Sequence, residues 1–239
     1  MNTFHSSGTV TAPDGVILAV NYFGPANPKT APIVATHGWA NDQTVWAPMV
    51  NDLGGDHRIT TWDLRGHGDS DTPPVGNYTR AQVLDDLTAI CDCTAKDRPV
   101  VLMGHSLGGF LSLAYALKSP ANVAALVLVA SGPGFRKATA REEWNQSVLA
   151  AARTMGQAAG VEEISMHYDS YVIDHLSKIE APTMLLLGEH DKRFAASAAL
   201  FERHLDIRAK EVIPSQGHMV HLKAAPSCAI AVRNFLNGI

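Results

Sequence analysis

The stretch that decides the fold is Val100-Val101-Leu102-Met103-Gly104-His105-Ser106-Leu107-Gly108-Gly109-Phe110. It lies in a segment with no Asp, Glu, Lys or Arg between Arg98 and Lys118. By length alone such a segment approaches a membrane span, which needs about 20 apolar residues. Its centre argues otherwise, because a bilayer helix gains nothing from a His, a Ser and three Gly. A buried strand turning sharply into a buried helix carries this punctuation. The pentapeptide from Gly104 to Gly108 fits the pattern G-x-S-x-G. A serine on a tight strand-to-helix turn projects its hydroxyl above the sheet, and flanking glycines let the strained backbone pass close to its neighbours.

Outward from this turn, short apolar runs end at special residues: 33–36 before His37-Gly38, 59–62 before Asp63, and 100–103 before Gly104. Further runs cover 124–130, 183–187 and 211–213. None alternates strictly, as expected of strands covered on both faces. Residues 16–23 do alternate, after the Pro13-Asp14-Gly15 turn, and predict a hairpin with the residues around Val10. Helical stretches fall at 80–91, 107–118, 195–204 and 224–236. Strands alternating with helices predict an α/β fold: a mostly parallel sheet with right-handed crossovers, helices on both faces and ligands at the carboxyl ends of the strands. The interval between residues 130 and 183 is too long for one ordinary connection. Trp144, Val148, Ala151 and Met155 follow helical spacing, and Ile164, Tyr168 and Tyr171 repeat the signal after Gly156 and Gly160. Two short amphipathic helices, forming a small cap over the strand ends, are expected there.

A chain of 239 residues suits one compact domain with an insertion. With 46% hydrophobic and 18% charged residues it has the apolar material for one continuous core and too little charge for a long disordered tract. The formal charge of -4 is spread without runs, which argues against nucleic acid as a partner. Cys91, Cys93 and Cys228 cannot all pair and lack a zinc-binding pattern, so a reduced, cytoplasmic compartment is expected and no metal is implied. The residues from Met1 to Ser7 have no basic head followed by an apolar stretch and read as a short exposed lead-in.

A serine hydroxyl is a poor nucleophile near neutral pH and needs a base, which in turn needs an orienting carboxylate. His218, in Gln216-Gly217-His218-Met219, follows the last strand in a loop before the final helix, where an imidazole can reach back over the strand ends. Asp191 lies beyond the 183–187 strand in Gly188-Glu189-His190-Asp191, with Glu189 as the rival acid.

With these residues in place, the chain resembles the α/β-hydrolase fold family, specifically the lipase- and esterase-like branch that also holds carbon–carbon bond hydrolases and enol-lactonases. Four segments carry the resemblance in order: His37-Gly38-Trp39, Asp63-Leu64-Arg65-Gly66-His67-Gly68-Asp69-Ser70, the Ser106 turn, and the Asp191 and His218 loops. The chain order Ser, Asp, His is the family's order. The resemblance covers essentially the whole length. It implies an eight-stranded core domain over 1–134 and 175–239, with a small helical cap over 135–174. It also implies that Ser106 is the nucleophile, His218 the general base and then acid, and Asp191 the partner that fixes the imidazole tautomer. Backbone N–H groups of Trp39 and Leu107 would form the oxyanion hole, Leu107 from a first helical turn where amides are unpaired and the dipole favours negative charge. Asp63, Arg65 and His67 are expected to hold neighbouring turns together, and His105, His190 and His221 to pack behind the site.

Serine at position 106, rather than aspartate, sets the chain apart from epoxide hydrolases and haloalkane dehalogenases of this fold and implies acyl chemistry. The leading expectation is hydrolysis of a small carboxylic ester without a cofactor, with a rate rising near pH ~6 to 7 as an essential histidine becomes neutral. Hydrolases of vinylogous diketones, enol-lactonases, thioesterases and cofactor-free perhydrolases share the triad and stay open, as does a receptor that uses the pocket without turnover. Carbon–carbon hydrolases often carry Met after the serine and a cap arginine for the substrate carboxylate. Here Leu107 follows the serine, while Arg136, Arg141 and Arg153 are available. Many relatives carry an acid a few positions after the histidine, where this chain has Lys223. The expected pocket-lining residues are Trp39, Trp144, Met155, Tyr168 and Met219. A cap confined to 135–174 predicts a shallow or partly open site for small, accessible substrates. Oligomeric state stays open, a homodimer included.

Overall fold

The computed structural model describes residues 5–25, 30–55, 57–96 and 98–239. Its strands are β1 His5–Thr11, β2 Ile17–Phe23, β3 Ile33–Thr36, β4 Ile59–Trp62, β5 Val100–His105, β6 Val123–Val129, β7 Thr183–Gly188 and β8 Ile207–Ile213. They form one eight-stranded sheet in the order β1-β2-β4-β3-β5-β6-β7-β8. β1 and β2 pair antiparallel across a turn in which Gly15 has φ 92°, a conformation that suits glycine. β2 also runs antiparallel to β4, and every later pairing is parallel. Part of the exposed lead-in expected over residues 1–7 is strand instead. His5, Ser6 and Ser7 already pair with Phe23, Tyr22 and Asn21, and residues 1–4 lie outside the described residues.

The helices are α1 Ala47–Leu53, α2 Arg80–Ala95, α3 Leu107–Lys118, α4 Ala138–Met155, α5 Tyr171–Asp174, α6 Lys192–His204, α7 Val220–Lys223 and α8 Ala225–Leu236. A capping box starts α2, where the Thr79 side chain accepts from Gln82 N while the Gln82 side chain accepts from Thr79 N, satisfying two orphan amides at once. α4 stops at Gly156, which turns left-handed at φ 65° and returns its N–H to the carbonyls of Ala152 and Arg153.

Strand periodicity divides the interior in two. Val34, Leu102, Leu126, Leu128, Leu185 and Leu187 pack with residues of α2, α3 and α6. Their neighbours Ile33, Ala35, Val101, Met103, Val127, Met184 and Leu186 pack on the other face with α1 and α8. Because both faces are covered, consecutive strand residues are mostly apolar, which is why these runs do not alternate. Truncating a core leucine such as Leu102 or Leu186 to alanine is expected to cost about 2–5 kcal/mol. At the sheet's edge β8 is longer than the expected 211–213, since only Ile213 of its seven residues is buried and the rest carries little apolar signal.

Between β6 and β7 the chain passes through α4, a 3-10 turn Val161–Ser165 and α5. Instead of two short helices there is one helix of 18 residues and then single turns. α4 begins ahead of its apolar stripe because Ala138, Thr139, Glu142 and Glu143 face solvent. The second stripe fails because Met166 is extended, with φ -81° and ψ 151°, and interrupts the helical run. Arg136 Nε meets Asp174 Oδ1 at 2.9 Å, joining the outgoing and returning ends of this insertion. Arg80 Nη1 donates to Asp169 Oδ1 at 3.0 Å and ties it to the start of α2. Among the described residues no helix is long and apolar enough to cross a membrane.

Candidate active site

Ser106 sits between β5 and α3 with φ 52° and ψ -112°. A non-glycine residue in such a region stores of order 1–3 kcal/mol and stays there only when its surroundings over-determine it. They do: Ser106 N donates to Val129 O at 2.9 Å, while its carbonyl accepts from Gly109 N at 3.1 Å, Phe110 N at 3.2 Å and Ser131 Oγ at 2.7 Å. The motif glycines are required by contact. A Cβ on Gly104 would collide with the backbone of Gly108 and Gly109, and one on Gly108 with the carbonyl of Thr36.

The loops after β7 and β8 meet because Gly188 has no side chain, its place being taken by the Gln216 and Gly217 carbonyls. His190 N donates to Gln216 O at 2.7 Å and Glu189 N to Ile213 O at 3.0 Å. This docking brings Asp191 Oδ2 to 2.7 Å from His218 Nδ1, with Asp191 buried. It also separates the two rival acids, since Glu189 Oε2 accepts from Ser215 N at 2.7 Å on the exposed side of the loop. The His218 ring stacks on Phe194 at 5.3 Å and 15° between planes. His105 braces it from behind, with ring centroids 4.6 Å apart and His105 Nε2 3.1 Å from the His218 carbonyl. Ser106 and His218 line the same cavity but make no direct hydrogen bond among the described residues. Such contacts commonly tighten only when substrate binds.

The turn after β3 passes directly in front of Ser106: a Cβ on Gly38 would lie 3.2 Å from Ser106 Cβ. Two neutral histidines fix this turn. His37 Nε2 accepts from Leu64 N at 3.0 Å while its Nδ1 sits 2.7 Å from Gly38 O, and His67 Nε2 accepts from Ala40 N at 3.2 Å. Burial, reinforced by His67, pushes the His37 pKa down to about 3, and burial also lowers that of His67. The amides of Trp39 and Leu107 have no acceptor among the described residues, so both are free to serve an incoming oxygen.

Above these groups lies a cavity of about 600 Å³, within the usual range for small-molecule sites. Trp39, Leu107, Phe110, Phe135, Trp144, Val148, Phe194 and Met219 make its wall largely apolar. Of the expected lining residues, Trp39, Trp144, Met155 and Met219 are present, with Met155 57% exposed. Tyr168 is not: it is 65% exposed and its hydroxyl bonds Met166 Sδ at 3.0 Å. The extended backbone at Met166 turns the neighbouring His167 inward instead. The arginines considered for a substrate carboxylate do not line the cavity. Arg136 pairs with Asp174, Arg141 donates to the carbonyls of Phe135 and Arg136, and Arg153 lies elsewhere on α4. Arg193, at the start of α6, is the charged residue that does line it, without an ion pair among the described residues. Neither Arg193 nor His167 carries a local sequence signal; both follow from where α6 and the insertion dock.

His221 and His105 lie behind the site with ring centroids 4.3 Å apart, and Trp46 packs tilted against His221 at 4.5 Å. Burial pushes His221 to about 3 and lowers His105 strongly, so this layer is uncharged. His190, in contrast, is exposed. Asp63 and Arg65 are both spent on loop structure. Asp63 accepts from Gln43 N at 2.6 Å, Gln43 Nε2 at 3.0 Å and Asp69 N at 3.0 Å. Arg65 holds Asp86 with two bonds of 2.6 Å and Asp14 at 2.8 Å.

The overall fold has parallels among known proteins. Along 96% of its length, and 98% of theirs, the chain is 26% identical to a Bacillus subtilis (strain 168) protein that bears the provisional name 2-succinyl-6-hydroxy-2,4-cyclohexadiene-1-carboxylate synthase. A thermophilic esterase from Thermogutta terrifontis, solved with malate bound, superposes with TM-score 0.79 at 23% identity, covering 98% of both chains. MenH from S. aureus superposes with TM-score 0.79 at 18% identity, covering 92% of this chain and 98% of that one; both structures speak to the fold. The family model of the alpha/beta hydrolase fold matches residues 31–176, a span that includes Ser106 but ends before Asp191 and His218. The chain belongs to the α/β-hydrolase fold family.

Proposed function

We propose that the protein is a serine hydrolase that cleaves a small carboxylic ester through an acyl-enzyme. The observation that carries this reading is the 2.7 Å contact between His218 Nδ1 and the buried Asp191, set in the same cavity wall as a serine held in a strained turn. In the first step Ser106 Oγ attacks the ester carbonyl and gives its proton to His218 Nε2. Asp191 holds the other ring nitrogen as donor and stabilises the imidazolium. The carbonyl oxygen becomes an anion opposite the N–H groups of Trp39 and Leu107, where each donor is worth about a hundred- to a thousandfold in rate. Collapse expels the alcohol, which takes the proton from His218. A water molecule, deprotonated by the same imidazole, then attacks the acyl-enzyme and releases the carboxylic acid, returning the proton to Ser106. In this reading residues 135–174 are a cap whose α4 contributes Trp144, Val148 and Met155 to the pocket, and the free cysteines Cys91, Cys93 and Cys228 accord with a cytoplasmic setting.

A fluorophosphonate probe with a panel of activated esters tests this. Ser106 should label and esters should turn over between pH 7 and 8.5; an unlabelled, inactive protein would refute the reading. A second reading, cleavage of a carbon–carbon bond or thioester with the same triad, draws support from Arg193. That unpaired cation at the cavity wall fits a substrate with a carboxylate remote from the reacting carbon. Comparing turnover of plain esters, thioesters, enol-lactones and vinylogous diketones separates the two.

A further inference from the structure

His167 is a polar side chain in this cavity that neither the fold nor the catalytic scheme uses. It is 9% exposed and lines the cavity. Its ring is held on three sides: edge-on to Phe110 at 4.5 Å, edge-on to Phe135 at 5.4 Å, and 6.1 Å from Trp144. Gly134 allows the ring to lie against the backbone, since a Cβ there would come within 3.1 Å of His167 Nδ1. The main chain is clamped as well, with Asn145 Oδ1 accepting from His167 N at 2.8 Å and Asn145 Nδ2 donating to His167 O at 3.0 Å. Yet neither ring nitrogen has a hydrogen-bond partner among the described residues. Neither nitrogen is sealed from its surroundings, unlike those of His221, so the contacts around the ring fix its position while leaving its nitrogens accessible at the cavity wall.

The protonation state narrows what it can bind. Burial, followed by the nearby Arg80 and Arg141, pushes the His167 pKa down to about 4. The ring is therefore neutral at working pH and offers one donor and one acceptor. That pair suits a hydroxyl or a carbonyl, whereas a carboxylate would call for a cation. Phe110, against which the ring packs, follows Ser106 by one helical turn, so the recognised oxygen belongs to a part of the substrate a few bonds from the scissile carbonyl.

We propose that His167 is a specificity-determining residue whose imidazole hydrogen-bonds an uncharged oxygen of the substrate, making hydroxy- or oxo-substituted esters the preferred class. The assignment rests on the serine-hydrolase reading above. A site built to bond a substrate oxygen discriminates strongly against the analogue that lacks it.

The test compares matched ester pairs that differ by one oxygen: p-nitrophenyl butyrate against its 3-hydroxy, 3-oxo and 4-hydroxy forms, and ethyl against 2-hydroxyethyl butyrate. For at least one pair, wild type should favour the oxygenated ester in kcat/KM. His167→Phe, which keeps a ring in the cage, should lower that ratio by about tenfold or more, and His167→Gln should restore part of it. Should either variant fold poorly by circular dichroism, His167→Asn serves in its place. The assignment is overturned if wild type shows no preference in any pair, or if the variants slow both members of a pair equally. Fluorophosphonate labelling of Ser106 keeps the two levels apart. A protein that labels normally but lacks the preference overturns the role of His167 alone, and one that does not label overturns the reading beneath it.

Discussion

Two polar regions lie within a few residues of the same strand ends and are built on opposite principles. The loop after β4 packs an aspartate and an arginine into the interior and consumes both charges: Asp63 accepts three hydrogen bonds, and Arg65 is held by Asp86, Asp14 and the Asn77 carbonyl. The region around the cavity does the reverse. Trp39 and Leu107 present free amides, and the ring nitrogens of His167 have no partner among the described residues. A saturated polar network rigidifies a loop, whereas a preorganised but unsatisfied one waits for a ligand to complete it. The density of charged residues in the sequence points to the first region, and the distribution of unused hydrogen-bonding capacity points to the second.

If this contrast is right, damage to the cavity region should abolish turnover with little loss of fold, and damage to the β4 loop should do the opposite. The largest effect is expected at the proposed triad. Ser106→Ala should lose fluorophosphonate labelling, and Asp191→Asn should lower kcat by about ten-thousandfold with an unchanged circular dichroism spectrum. Glu189→Gln should stay within a few fold of wild type, because its carboxylate only caps the Ser215 amide. An equal loss in both acid variants would mean the wrong carboxylate has been chosen. Next in size is Arg65→Leu, which strands the buried Asp86 and should cost about 3–5 kcal/mol. Thermal melting would report this as a Tm lower by roughly 10 °C, and a normal Tm would break the comparison.

Smaller effects come from pH and from the cavity mouth. His37 and His221 have pKa values pushed by burial to about 3, below the roughly 6.5 of an exposed histidine in the unfolded chain. Unfolding therefore takes up protons between these values, so stability is full above about pH 6.5 and falls as pH drops toward 3. Each of the two should remove on the order of 2 kcal/mol between pH 6.5 and 5, visible as a falling Tm; a Tm constant over that interval would show that these rings charge in place. The smallest change is expected for Arg193→Ala. It should raise KM by no more than about tenfold for an ester bearing a remote carboxylate, relative to a neutral one, because an exposed cation is screened by solvent. Loss of that preference at high salt would support the same cause.

What could be read from the chain alone follows from how local each feature is. The Ser106 turn is legible because its strain must be relieved within five residues, and only glycines at 104 and 108 clear the backbone they meet. The parallel strands are legible because both faces are buried and the runs are continuous. The choice between Glu189 and Asp191 is not local, since it depends on Gly188 docking against Gln216 and Gly217 from a different strand. The inward position of His167 depends on an extended residue at Met166 and on an asparagine twenty-two positions earlier in α4, and the helical spacing pointed to Tyr168 instead. The length of β8 is not legible either, because an edge strand carries charges where a central one carries leucines.

The ion pair between Arg136 and Asp174 has a consequence for how such a protein can change. The chain leaves the sheet and returns to it through a single narrow gateway, so the 37 residues between these two positions form a closed detour. A detour of this kind is exchangeable: replacing residues 137–173 with the equivalent stretch of a relative would swap the roof of the pocket while the strand ends, and the groups mounted on them, keep their places. Lineages sharing this core could then explore new substrates one roof at a time.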